Sequence, residues 1–102
     1  MIFTTIYRPT GRSYYYRFIK QKDQTIWDDS AEELAAAPTW ANSSIAITEL
    51  SGTGQYSIII PTELTKGVIY DVVVYLQSGA SPANTDVVDS GYELKYGGSF
   101  GF

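Results

Sequence analysis

The sequence predicts an all-β fold in which about seven strands form a two-layered sandwich, with one short helix. Three observations predict it. Apolar and polar residues alternate with period two in several segments, residues typical of tight turns separate these segments, and Leu64, Gly67 and Tyr70 precede the segment with the clearest alternation. At 102 residues with 44% hydrophobic side chains, the chain has the length and apolar content of one domain with one core. We therefore expect residues 1–96 to form a single domain.

The N-terminal part of the chain predicts a strand followed by a hairpin. Residues 2–7 form the first predicted strand, which ends at the turn residues of segment 8–11. Residues 14–20 and 25–27 then flank a polar segment, 21–24, and form the hairpin. The sequence leaves open whether the first strand pairs within its own sheet or with a neighbouring chain.

The segment between Trp27 and Trp40 departs from the strand pattern. Ser30-Ala31-Glu32-Glu33 has the form of a capping box, in which the serine hydroxyl and the Glu33 carboxylate each accept a hydrogen bond from the other residue's amide. Leu34-Ala35-Ala36-Ala37 continues in good helix formers until Pro38. The sequence therefore predicts one short helix here.

The second half of the chain returns to alternation. Residues 44–50 and 55–60 predict a hairpin around Ser51-Gly52-Thr53-Gly54. Segment 68–76 is the strongest strand, since Val68, Tyr70, Val72, Val74 and Leu76 give it one wholly apolar face. A loop of small residues (77–85) and a turn at Asp89-Ser90-Gly91 then lead to a last strand that begins at Tyr92.

Composition excludes several classes of function. The chain has no histidine and no cysteine, so it lacks the commonest general base, thiolate chemistry, disulfides and most zinc ligands. Its net charge of −4 repels nucleic acid, and no segment has the apolar length of a membrane helix. We expect no enzymatic activity, no cofactor and no metal, and neither nucleic acid nor a membrane as partner.

Four carboxylates are the only group with the chemistry of a metal or acid–base site. Asp28, Asp29, Glu32 and Glu33 lie within six positions. A calcium loop needs a glycine at its sharp turn, and none occurs here, while carboxylates at a helix N-terminus are favoured by the helix dipole alone. We interpret them as capping and solvated residues, with metal binding or catalysis as the lesser alternative.

The aromatic residues predict both core and surface. Trp27, Trp40 and the run Tyr14-Tyr15-Tyr16 have the flat rings that stack on sugars, but the alternation places most of them in the core. Tyr15 and Tyr75 fall on the outward faces of their strands. We therefore expect these two tyrosines to form part of a surface that contacts a partner.

The C-terminal segment has a different composition. Residues 97–102 combine three glycines with Phe100 and Phe102, and the segment lacks an alternation that would bury the two rings in the domain's own sheet. A frayed end is the simplest interpretation. The alternative that we favour is an arm whose Phe100 and Phe102 insert into a neighbouring subunit.

The spacing of Leu64, Gly67 and Tyr70 resembles the tyrosine corner of fibronectin type III and other immunoglobulin-like domains. In those domains the glycine permits a tight entry, and the tyrosine ring is buried with its hydroxyl returning to the backbone. Thr65-Lys66 stands where a proline is common in that family. The resemblance implies an immunoglobulin-like Greek-key β-sandwich.

A wider pattern over about residues 25–90 resembles small proteins encoded among the structural genes of tailed bacteriophages. It consists of Trp27-Asp28, Trp40, Thr53-Gly54-Gln55-Tyr56, Ile60-Pro61, Leu64, Gly67, Tyr70, Val74-Tyr75, Gly79, Ser81-Pro82-Ala83 and Asp86. The resemblance implies a structural protein of the virion, made in the host cytoplasm: a capsid decoration or cement protein, or a tail or fibre component. Its expected partners are other virion proteins and further copies of itself. We expect it to bind them through its sheet faces, its sheet edges and the C-terminal arm. A carbohydrate-binding or adhesion module is the alternative.

Overall fold

A computed structural model describes residues 2–61 and 66–95, and within them the chain is all-β, as predicted. These residues form eight strands and one four-residue helix: β1 Ile2–Tyr7, β2 Tyr14–Lys20, β3 Thr25–Asp28, β4 Glu33–Ala35, α1 Trp40–Ser43, β5 Ile45–Leu50, β6 Gln55–Ile59, β7 Ile69–Leu76 and β8 Val87–Lys95. The predicted hairpins β2–β3 and β5–β6 and the predicted strands β1 and β7 are all present.

All strand pairs are antiparallel, and they form two sections of sheet that share β5. The three-stranded section contains β1, β6 and residues 48–50 of β5. The five-stranded section has the order β8-β7-β2-β3-β4, and residues 45–47 of β5 pair with β2 beside β3. The question left open for β1 is thereby answered, because β1 pairs with β6 of its own chain.

The core lies between the inner faces of the two sections. Phe18, Ile58, Val72, Val74 and Leu94 have no exposed surface there. Tyr70 is buried as predicted, and its ring stacks on that of Phe18 with centroids 4.8 Å apart. The rings of Tyr14 and Tyr56 join the two sections edge to face at 4.9 Å. Residues that alternate along each strand thus supply one continuous apolar interior.

Side chains also connect β1, an edge strand of the three-stranded section, with β8, an edge strand of the five-stranded section. Phe3 and Tyr92 meet edge to face with ring centroids 6.1 Å apart. At the end of β1 the guanidinium of Arg8 forms a salt bridge with Asp89, with Nη2 2.9 Å from Oδ2. These contacts hold the β1 edge of the three-stranded section against the β8 edge of the five-stranded section.

The predicted helix at residues 30–37 is wrong. Glu33–Ala35 is a strand that pairs with β3, and the residues before it form a turn. The Asp28 carboxylate accepts hydrogen bonds from the amides of Ser30 and Ala31, and Glu32 has φ of +55°, which is incompatible with a right-handed helix. The extra hairpin raises the strand count to eight, and the helix α1 begins later, after its N-cap Thr39.

The predicted turn at Asp89-Ser90-Gly91 is also wrong, because β8 runs through it. Val74 pairs with Ser90 and Tyr75 pairs with Val88, so Asp89 is an extra residue in β8, a β-bulge. This bulge occurs at the residue whose carboxylate binds Arg8. Leu64, Phe100 and Phe102, and the whole of segment 97–102, lie outside the described residues.

Candidate functional site

Tyr15 and Tyr75 lie on the outer face of the five-stranded section, but the expectation that they are exposed is wrong. Their exposed fractions are 1% and 9%, and their rings stack on each other with centroids 5.2 Å apart. Trp40 packs edge to face on Tyr75, and the loop that contains Asp86 reaches the hydroxyl of Tyr15. Because other parts of the chain cover them, these two tyrosines form a second, small core instead of a contact surface.

Asp86 is the centre of the polar contacts around this second core. Its Oδ2 accepts hydrogen bonds from the Tyr15 hydroxyl at 2.7 Å and from the amide of Ala83 at 2.9 Å. Its Oδ1 accepts from the hydroxyl and the amide of Ser78 at 3.0 and 3.3 Å. The carboxylate is buried and has its hydrogen-bonding capacity filled, so it fixes the loop between β7 and β8 onto β2.

These contacts shift two pKa values. The amide of Ala83, the Tyr15 hydroxyl and the donors of Ser78 lower the pKa of Asp86 to about 2. Burial, together with the hydrogen bond to Asp86, raises the pKa of Tyr15 to about 12. Both groups therefore keep one protonation state over the physiological range, as expected of a structural contact.

Contacts from several residues hold Trp40 in place. The guanidinium carbon of Arg17 lies 4.0 Å from the centroid of the indole, and the indole N–H donates to the Tyr15 hydroxyl at 3.0 Å. Arg17 is itself positioned by a hydrogen bond from its Nε to the hydroxyl of buried Ser43. Stacking of a sugar on the ring face that Arg17 covers would require this contact to break.

The other aromatic candidates for sugar stacking are buried too. Trp27 is 6% exposed, and its indole N–H donates to Asp29, while Tyr14, Tyr15 and Tyr16 are at most 3% exposed. Within the described residues, the large exposed hydrophobic side chains include one aromatic residue, Tyr7, which is 66% exposed.

The four carboxylates of segment 28–33 do not come together as one site. Asp28 stabilises the β3–β4 turn, Asp29 accepts from Trp27, and Glu33 begins β4. In the part of the chain that the structure describes, no three His, Cys, Asp or Glu side chains are grouped closely enough to hold a metal ion.

An open hollow lies where β7 begins. It has a volume of about 460 Å³ and is lined by Gln21, Lys22, Lys66, Gly67, Val68 and Ile69. Beside it, the side-chain amide Nε2 of Gln21 donates to the carboxylates of Asp71 and Glu93, which are paired across β7 and β8. Lysines and carboxylates therefore occur together at this end, and neither sign of charge dominates it.

The outer face of the three-stranded section is a surface that sequence reasoning missed. The register places Tyr7, Gln55 and Leu50 side by side in one row and Thr5, Ser57 and Thr48 in the next, and Ile59 follows on β6. Tyr7, Leu50 and Ile59 are 66%, 61% and 49% exposed. None of these seven residues is charged, and we call them the neutral face.

A signal for the neutral face exists in the sequence. Segments 2–7 and 50–61 contain no charged residue, although 18% of the chain is charged. The two segments are 43 positions apart in the sequence, from Tyr7 to Leu50. Their lack of charge therefore indicates a shared surface only once β1 is known to pair with β6.

No protein-family model, curated protein or solved structure matches this chain. Within residues 2–61 and 66–95, no helix is both long enough and apolar enough to cross a membrane.

Proposed function

We propose that the chain is a structural virion protein, a capsid decoration or cement protein or a tail-associated subunit, which binds neighbouring protein subunits through exposed sheet surfaces. The observation that carries the proposal is the neutral face, an exposed sheet surface with three large apolar side chains and no charge. Burial of such a surface against another protein costs little desolvation free energy, because no charged group has to be dehydrated.

We further propose that the fold is an immunoglobulin-like Greek-key β-sandwich. In such domains of the variable type, strands A, B, E and D form one sheet, and G, F, C, C′ and C″ form the other. The pairings β1-β6-β5 and β8-β7-β2-β3-β4 follow the same order, which supports the proposal. Two features differ from that pattern: β5 also pairs with β2, and no strand of the described residues takes the place of strand A.

Particles provide the direct test. Virions assembled in cells that express the chain are purified by density gradient, and the chain is quantified by mass spectrometry against the major capsid and tail proteins. We expect a fixed ratio to one of them. Absence of the chain from particles that are otherwise complete would contradict a role in the virion.

Charge substitutions test whether the neutral face makes the contact. Leu50→Asp places a carboxylate in the neutral face and is expected to reduce incorporation at least tenfold, because a buried unpaired charge is costly. Val87→Asp is the matched control, since Val87 is 70% exposed but lies at the start of β8, outside the neutral face. Equal loss in both variants would point to the added charge and not to the surface.

One observation favours the second candidate, a carbohydrate-binding or adhesion module. The ring of Tyr7 is exposed, its hydroxyl lies 3.5 Å from the amide nitrogen of Gln55, and hydroxyl side chains occupy the next row. An exposed ring beside amide and hydroxyl groups can stack on a sugar and bind its hydroxyls. Binding on a glycan array that is lost in Tyr7→Ala and retained in Leu50→Ala would favour this function over assembly.

A further inference from the structure

We infer that the neutral face binds a second copy of this chain, so that two three-stranded sections pack face to face around a twofold axis. The inference rests on the assembly function proposed above and names one of its partners. It starts from the composition of the neutral face and from the register that builds it.

The charge of the chain indicates which partner binds the neutral face. Each copy carries a net charge of −4, so two copies repel each other, and this repulsion is smallest when they meet on surfaces that carry no charge themselves. A charge-free surface is also complementary to another charge-free surface, because a charged partner would bury an ion without a counter-ion. The same surface of a second copy satisfies both conditions.

The hydrogen-bonding groups are suited to self-recognition. A twofold contact places the same residues on both sides, so each group must be able to pair with its own kind. The Gln55 amide has both a donor and an acceptor, and the hydroxyls of Thr5, Ser57 and Thr48 also have both. On the central strand, β6, Gln55 lies between the side chains of Tyr7 and Leu50, and Ser57 lies between those of Thr5 and Thr48.

The area of the neutral face indicates how strongly two copies bind each other. Three strands about 4.8 Å apart, each with about six residues at 3.3 Å, cover roughly 300 Å². A stable protein pair buries about 800 Å² on each partner, so this contact alone is weak. We therefore expect self-association at high local concentration, as in an array on a particle, and a monomer in dilute solution.

Sedimentation velocity over a concentration series tests the inference. The mass of the wild-type chain is expected to rise from that of a monomer toward that of a dimer as concentration approaches about 1 mM. Thr48→Lys should abolish this rise, because Thr48 is exposed within the neutral face. Thr85→Lys makes the identical change at an exposed position of the β7–β8 loop and should associate at least as well as the wild type.

Chemical-shift changes on dilution locate the contact without any substitution. They should be confined to residues of the neutral face, and added salt should strengthen association by screening the repulsion between like charges. A wild-type chain that stays monomeric throughout, shift changes centred on another surface, or association that weakens with salt would each overturn the inference.

Failure of the inference is distinguishable from failure of the proposed function. If Leu50→Asp lowers incorporation into particles while the wild-type chain stays monomeric, the neutral face binds a different virion protein, so the function holds and the inference fails. If the chain dimerises through the neutral face but is absent from particles, the proposed function fails while the inference holds.

Discussion

The hydroxyl of Tyr15 donates a hydrogen bond to Oδ2 of Asp86 over 2.7 Å, between residues 71 positions apart in the chain. This contact joins the middle of the five-stranded section to the loop between β7 and β8. It also explains why Tyr15, which the alternation assigns to an outward face, is buried. The loop and Trp40 thus cover the outer face of this section around Tyr15 and Tyr75, whereas large apolar side chains on the outer face of the three-stranded section are exposed.

Two adjacent tyrosines give a matched test of the contact. Tyr15→Phe removes the donor to Asp86 and leaves that buried carboxylate short of a partner, so the free energy of unfolding should fall by about 1–3 kcal/mol. The Tyr14 hydroxyl is buried without a hydrogen-bond partner among the described residues. Tyr14→Phe should therefore leave stability unchanged or raise it by about 1 kcal/mol. Urea unfolding followed by tryptophan fluorescence measures both variants.

The opposite ranking of the two variants would show that Tyr15 does not anchor the loop. A large loss in Tyr14→Phe would mean that this hydroxyl has a partner, such as a bound water, in solution.

Acid should weaken the same contact. In the folded chain the pKa of Asp86 is about 2, against an ordinary value of 3.8, so the stability that the carboxylate confers is complete above the ordinary pKa. It is lost as the pH falls from about 4 to about 2. Asp86→Asn lacks this titration and should show a shallower decline of stability over that range. Thermal unfolding at closely spaced pH values measures the two slopes, and equal slopes would contradict the assignment.

The strands were predictable because their evidence is local. The alternation in β2, β5, β6 and β7 indicates which residues share a face of the sheet. The glycines of the β5–β6 turn indicate where the chain reverses direction. Tyr70 was assigned to the core on the same kind of evidence, and it is buried.

The predictions were wrong, or missed a surface, where contacts between residues far apart in the sequence determine the structure. The Ser30–Glu33 segment fits a capping box locally, but Asp28 binds its first amides and β3 supplies a strand partner for Glu33–Ala35. Period-two alternation placed Tyr15 and Tyr75 on an outer face correctly, but it carries no information about a loop that covers that face. The neutral face likewise needed the β1–β6 pairing, which joins segments far apart in the chain.

Two glycines of the β5–β6 turn should respond differently to alanine. Gly52 and Gly54 both have positive φ, at +69° and +75°, so a side chain at either position costs about 1–2 kcal/mol of backbone strain. A Cβ on Gly52 meets nothing within 4 Å, whereas one on Gly54 would lie 2.6 Å from the carbonyl oxygen of Arg8. Gly54→Ala should therefore lose about 1–3 kcal/mol more than Gly52→Ala, because the β1 end must move.

Chemical denaturation of the two variants measures the difference. Equal losses of stability would mean that the backbone of Arg8 moves away at no cost in free energy. The hydrogen bond from the Arg8 amide to the Gly54 carbonyl would then not hold the end of β1 firmly in place.

The salt bridge between Arg8 and Asp89 should stabilise the contact between the end of β1 and β8. Nε of Arg8 lies 3.1 Å from both carboxylate oxygens and Nη2 lies 2.9 Å from Oδ2, a geometry in which two N–H groups bind one carboxylate. Because both side chains are partly exposed, a double-mutant cycle of Arg8→Ala and Asp89→Ala should give a coupling energy of about 1 kcal/mol.

The pair Lys20–Asp23 is the control, since a single contact of 3.8 Å with an Asp23 side chain that is half exposed should give a coupling energy near zero. Equal coupling in the two pairs would mean that the β-bulge at Asp89 gives Arg8 no better a partner than an ordinary surface carboxylate, and the closure of β1 onto β8 would then depend on the packing of Phe3 against Tyr92.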